Sequence, residues 1–221
     1  MINPFALKMA MPPKFRCPKD MQWHLQKVFD GEYDIPLAGD AYRIIDLGAN
    51  CGAFAIWAAH RWPGSEIFCY EPIPDTFEYL RQNVAKLKGQ AESIRIFEAA
   101  ITGTGPGYAQ MSIGVNNCGE ASLHNMQVDS GVFVTVPTLP PSSLTLAHIL
   151  KLDVEGSELG ILEQLVGVEQ RTYWAILVEY HSPEIRLGIE QLLAPKYRLV
   201  KADVASPFRG TICYMNQKIT G

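Results

Sequence analysis

At 221 residues, 48% hydrophobic and 19% charged, the chain has the size and balance of one globular domain with a full core, and not of a disordered segment. Its net charge of −4, with Lys and Arg in no long run, argues against a nucleic-acid partner, and no apolar run reaches the length of a membrane span. The five cysteines (Cys17, Cys51, Cys69, Cys118, Cys213) show no C-x-x-C spacing and the opening MINPFALKMAMPPKF lacks the apolar core of a secretory signal, so the expectation is a reduced, cytoplasmic protein without zinc or disulfides.

Residues 1–40 read as a proline-rich arm followed by a helix, which Asp20 caps and Asp30-Gly31 ends. The remainder, 41–221, alternates strands and helices. Residues 42–47 (YRIIDL) form a short apolar run that stops at glycine, the pattern of a buried strand ending in a tight turn. Asp46 ends this strand, Gly48 and Gly52 remove Cβ atoms from the turn, and 53–60 (AFAIWAAH) read as a helix pointing its N-terminus back at the crevice.

A dinucleotide fingerprint needs G-x-G-x-x-G, and Asn50 stands where its middle glycine would be. That departure favours a ligand with a cationic head and no phosphates. S-adenosylmethionine answers to this, its amino group suited to Asp46. The next strand, 65–70 (SEIFCY), ends in Glu71, where a carboxylate can accept hydrogen bonds from both hydroxyls of a ribose. Asp46, Gly48, Asn50, Gly52, Glu71 and the strand-breaking Pro72 are therefore candidate cofactor contacts.

Downstream, 75–88 has helical spacing, and 93–97 (SIRIF) alternates as a third strand ending in Glu98-Ala99. Two hairpin strands follow, 108–113 and 132–136, forming an insertion around 107–136 in the alternating pattern. Polar residues between them (Asn116, Asn117, Glu120, Ser122, His124) are candidates for substrate recognition. TLPPSS at 138–143 breaks the chain. Strand four, 148–152, ends in Asp153, and a helix covers 157–166. Strand five, 173–178, ends in Glu179-Tyr180-His181, and Pro183 starts a helix to about Leu193. Strands at 197–203 and 211–216 close the sheet.

DLGANCG, YEPIPDTFEYLRQNV, ILKLDVEGSELGILEQL and ILVEYHS, taken together, resemble the successive motifs of FkbM-type methyltransferases. The resemblance covers roughly Asp20 to Ser182, and KLDVEGSE following EPIP is its most specific part. It implies an α/β, Rossmann-like class I methyltransferase fold with a mostly parallel seven-stranded sheet and an antiparallel edge strand. It also implies S-adenosyl-L-methionine as cofactor, and a small-molecule methyl acceptor such as a sugar or natural product, methylated mostly on oxygen. In such a fold Glu98 and Ala99 would meet the adenine, the helix within 1–40 would cover the site, and the hairpin insertion would shape the acceptor pocket.

Methyl transfer is a direct displacement, for which in-line positioning contributes about 7–11 kcal/mol. A hydroxyl nucleophile also loses a proton, which a base or a metal ion assists. Strands four and five concentrate Asp153, Glu155, Glu158, Glu179 and His181. Asp153 or His181 as base is favoured over carboxylates holding a divalent ion, so no metal ligand is assigned. The candidate catalytic residues are Asp153, Glu155 (placed there by the resemblance) and His181, while Glu158 reads as an exposed residue of a first helical turn. Alternatives from other classes are an RNA or protein methyltransferase, an NAD-dependent oxidoreductase, and a non-catalytic module of the same fold.

Overall fold

Apolar runs that stop at glycine or proline become the strands of one mixed sheet. The computed structural model describes residues 8–87, 89, 93–103, 105–113 and 132–219. A 3-10 turn (Lys19–Met21) leads into α1 (Gln22–Phe29), and β1 (Arg43–Leu47), α2 (Ala53–Arg61), β2 (Glu66–Tyr70), α3 (Pro74–Val84) and β3 (Ile94–Phe97) follow. Then come β4 (Ala100–Ile101), β5 (Gly107–Ile113), β6 (Val132–Leu139) and β7 (Ile149–Leu152). The helix expected over 157–166 forms as α4 (Glu158–Leu162) running on into a π-helical turn (Glu163–Val168). β8 (Ala175–Tyr180), α5 (Pro183–Leu193), β9 (Tyr197–Ser206) and β10 (Arg209–Asn216) complete the chain.

The main sheet has the order β3-β2-β1-β7-β8-β10-β9. β1 pairs in parallel with both β2 and β7, and β10 runs antiparallel between β8 and β9. The closing hairpin thus supplies the reversed strand as expected, one place in from the rim. The chain leaves β1 toward β2 and β3 on one side and returns to β7 on the other, which makes the β1/β7 boundary the switch point where an open α/β sheet binds ligands.

Alternation along the strands divides the core into two layers. Ile44, Ile67, Ile149 and Leu177 face α1, α2 and α3, packing with Phe54, Trp57, Trp62 and Leu80. Ile45, Leu150, Leu152 and Val178 face α4 and α5, packing with Ile161, Leu165, Ile189 and Leu193. The insertion forms a second sheet of order β4-β6-β5. Pro137 is tolerated in its central strand because β4 first pairs with β6 at Thr138, so the missing N–H costs no ladder bond there. Asn116, Asn117, Glu120, Ser122 and His124 lie outside the described residues. Among the described residues no helix is long and apolar enough to cross a membrane.

Gly48 is in the left-handed region at φ 71, and a methyl group built on it would sit 1.8 Å from the carbonyl oxygen of Asp153. The glycine therefore serves the close approach of the β1 turn to the end of β7. Gly52, at φ 87, likewise makes room for Leu80 of α3. Gly48→Ala is expected to destabilise the fold by roughly 2–4 kcal/mol, the left-handed backbone cost added to a backbone collision. Gly103→Ala, with nothing within 4 Å, serves as the neutral control. Urea denaturation of the two variants checks this, and equal midpoints would refute the collision.

Candidate active site

A cleft of 280 Å³ opens at the carboxyl ends of β1, β2, β7 and β8, near the lower end of the about 300–1,000 Å³ typical of small-molecule pockets. Met21, Trp23, Leu25, Lys27 and Val28, within or just before α1, line one side of it. On another side the turn Leu47–Asn50, Glu71, Pro72 and Ile73 meet Ala99, Ala100, Ile101 and Met111. Asp153, Glu155, Glu179 and Arg209 form an ionic wall. Trp23 is 65% exposed at the mouth, with the Lys27 ammonium 4.3 Å from its ring centroid.

The β1 turn and the β2 end are locked together through Glu71. Its Oε2 accepts the N–H of Asn50 at 2.9 Å and its Oε1 accepts that of Ile73 at 2.9 Å. Asn50 reaches this position in a left-handed conformation, φ 51, with its own side chain accepting from Cys51 N–H. Burial raises the Glu71 carboxyl to about 7, against the two backbone hydrogen bonds that pull it down.

Asp46 does not reach the cleft wall. In the β1–β7 register it lies opposite Lys151, on the face toward α1 and α2, fully buried. Lys151 Nζ stands 3.1 Å from Asp46 Oδ1, donates to Gly48 O at 2.8 Å, and itself lines the cleft. Burial pulls the Lys151 pKa down, but Asp46 and then Asp153 outweigh it and raise it, so the ammonium keeps its charge. The cleft thus meets a lysine where the sequence places an acid.

The segment after β7 turns sharply. Glu155 (φ 52) and Gly156 (φ 108) are both left-handed, a strained arrangement for a non-glycine residue that concentrates at functional sites. Glu158 holds the turn: its carboxylate accepts the N–H of Val154 and of Gly156 at 3.1 Å each, and the His181 Nδ1–H at 2.9 Å. It is fully buried, which corrects the expectation of an exposed first-turn residue; the N–H groups of the turn and the imidazole offset its burial. His181 Nε2 lies 3.1 Å from Glu155 Oε2 and 3.8 Å from Asp153 Oδ1. Burial lowers the His181 pKa, but the Glu158 hydrogen bond and then Glu155 outweigh it and raise it to about 9. Burial pushes the Glu155 carboxyl up against the pull of His181.

Of the sequence candidates, Gly48, Asn50, Glu71, Pro72, Ala99, Asp153 and Glu155 line the cleft. His181 stands behind Asp153 and Glu155. Gly52 is spent on helix packing, and Glu98 is exposed away from the cleft. Sequence reasoning missed Lys151, Arg209 and Glu32. Lys151 carried a signal, being the one charge in the apolar strand ILKL. Arg209 carried none: it reaches the site from the last hairpin, its Nε donating to Glu179 Oε1 and its Nη2 lying 3.4 Å from Glu155 Oε1. Glu32 accepts from Thr211 Oγ1 at 2.9 Å.

Comparison with known proteins agrees with this geometry. A family model described as Methyltransferase FkbM domain matches residues 46–194. "Methyltransferase 1" of Beauveria bassiana is 29% identical over 169 residues, covering 64% of this chain and 66% of that protein. Hexuronic acid methyltransferase AglP of Haloferax volcanii is 24% identical over 155 residues, 67% of this chain and 60% of that protein. The crystal structure of methyltransferase FkbM from Methylobacillus flagellatus KT superposes with a TM-score of 0.58 at 15% identity, over 82% of this chain and 45% of that one. The chain spans about two thirds or less of the length of each of these three proteins. With the family model running from the acid in β1 to the end of α5, the chain belongs to the FkbM methyltransferase domain family.

Proposed function

We propose that the chain transfers the methyl group of S-adenosylmethionine to a hydroxyl of a small molecule, with sugars as the favoured class. The observation that carries this reading is Glu71, an acid closing β2 inside a cleft at the sheet's switch point. Each of its oxygens accepts one backbone N–H and keeps a lone pair for a ribose hydroxyl. Ile73, Ala99, Ala100 and Ile101 give an apolar wall beside it, suited to a flat base. The acids of the ionic wall suit a cationic head, while Asp46 acts through Lys151. Bound there, S-adenosylmethionine supplies an electrophilic methyl group.

Asp153 is the residue best placed to serve the acceptor. It lines the cleft with its side chain partly exposed, so it can accept a hydroxyl hydrogen and take the proton as the oxygen is methylated. His181 keeps its own proton at neutral pH and is a fixed cation behind Asp153, which moves the base role away from it. A sugar acceptor is supported by the exposed Trp23 ring at the mouth and by the similarity to a hexuronic acid methyltransferase. The net charge of −4 disfavours RNA.

Glu71→Gln is expected to weaken S-adenosylmethionine binding by about 1.5–3 kcal/mol, the range for a hydrogen bond to a charged group. Titration calorimetry reads this directly, and unchanged affinity in the folded variant would take Glu71 out of the ribose role. Asp153→Asn should leave that affinity within a few-fold while turnover on the acceptor falls by about 10²–10⁴-fold. Full turnover of this variant, in a methyl-donor screen over sugars and glycosides, would sink the assignment.

Protonation also sets a pH dependence of stability. Glu32, raised to about 7 by burial and then by Glu179, and Glu71, raised to about 7 by burial, hold protons in the fold at pH values where the unfolded chain has released them. His181, raised to about 9, does the same from its ordinary range upward. All three contributions are full at low pH and are lost as pH rises through the folded values. The unliganded chain should therefore melt lower at pH 9 than at pH 6, by about 2–4 °C for each kcal/mol lost. His181→Gln should flatten the upper part of that fall. A melting temperature rising toward pH 9 would contradict the assignments.

A further inference from the structure

Two buried atoms that make no hydrogen bond among the described residues face each other beneath the ionic wall, with Glu155 Oε2 3.1 Å from the first of them, His181 Nε2. His181 is 8% exposed, and neither its Nε2 nor Asp153 Oδ1 has a hydrogen-bond partner among the described residues. They stand 3.8 Å apart, too far for a hydrogen bond. That span leaves room for a metal ion lying about 2.0–2.2 Å from each. Glu179, from the same strand end as His181, completes the set: one ligand atom each from Asp153, Glu179 and His181 lies within 4.8 Å of the others.

The ring orientation fits the same purpose. Glu158 accepts the Nδ1–H and turns Nε2 toward the carboxylates, where it offers a lone pair once an incoming ion displaces its proton. A carboxylate bonded to the far nitrogen of an imidazole is the usual support of a metal-bound histidine. A lone pair aimed at carboxylate oxygens is repulsive unless a proton or a cation lies between them. Charge points the same way: Asp153, Glu155, Glu158 and Glu179 are faced here by Arg209 and by Lys151, which is already shared with Asp46. Arg209 occupies Glu179 Oε1 and leaves Oε2.

We propose that Asp153, Glu179 and His181 hold a divalent metal ion. Two carboxylates with one imidazole suit manganese or zinc better than calcium or magnesium, which take oxygen ligands. The site stands on this geometry, and its use in catalysis rests on the methyl-transfer reading. An acceptor hydroxyl ligating the ion would lose its proton more readily. The proton would pass to Glu155 on the same wall, the oxygen would form the new bond to carbon, and the electron pair of the broken carbon–sulfur bond would stay on sulfur. Asp153 would then act as ligand in place of base.

The whole chain, stripped with EDTA, is titrated with manganese(II) chloride and followed by electron paramagnetic resonance. One bound ion per chain is expected. In the unmodified chain, nuclear magnetic resonance should show manganese broadening the ring protons of His181 before those of His24, His60 and His148. Asp153→Asn and His181→Gln should each weaken binding by at least about tenfold, the lower end for disturbing a metal's surroundings. Absence of stoichiometric binding, or broadening centred on another histidine, overturns the site and leaves His181 as an imidazolium paired with Glu155. Calorimetry with S-adenosylmethionine on the same stripped sample separates the two claims. Cofactor binding without manganese binding removes the metal site alone, and manganese binding without cofactor binding removes the methyl-transfer reading alone.

Discussion

An ammonium sealed between two strands sets the shape of the crevice. Lys151, 3% exposed, ties β7 to β1 through Asp46 and through the carbonyl oxygens of Leu47 and Gly48, and stands 3.8 Å from Asp153 Oδ2. Burying such a cation is costly unless its partners are in place, and losing one partner of a buried pair costs about 3–5 kcal/mol. The pair therefore holds the β1 turn against the end of β7 before any ligand arrives. Gly48 permits that contact, since its backbone lies against the Asp153 carbonyl. Both strand ends that face a ligand are thus fixed by one charge.

Glu158 plays the matching part on the other side. One buried carboxylate collects two backbone N–H groups and an imidazole N–H. It keeps Glu155 in a backbone conformation that a non-glycine residue seldom adopts. The acidic wall of the cleft is consequently rigid in backbone and dense in titratable groups, a combination typical of chemistry rather than packing.

Much of this was legible in the chain. The strand–glycine–helix unit at Asp46–Gly52, the acid at Glu71 and the acid-rich ends of β7 and β8 are local patterns, and these elements form where their spacing places them. What escaped was pairing across strands. Asp46 reads as a free acid until the register sets Lys151 beside it. Gly52 reads as space for a ligand, whereas a side chain there would meet Leu80, and one at Gly48 would meet Asp153, both distant in sequence. Glu158 reads as exposed because helix position says nothing of a loop folding back over it. Arg209 sits in a hairpin whose composition gives no hint of a site.

That hairpin has a consequence for assembly during synthesis. β9 is made before β10 yet lies outside it, bonded in the sheet to β10 alone. Until β10 has left the ribosome, β9 has no neighbour in this sheet and β8 is its open margin. The half of the cleft built from β1, β2 and the strand β4 can close early from nearby segments, whereas Arg209 and Thr211 join Glu179 and Glu32 only when β10 is added. The acidic half of the cleft thus gains Arg209 only once β10 is in place, and a chain cut short within β10 would keep the other half formed beside carboxylates that lack this partner.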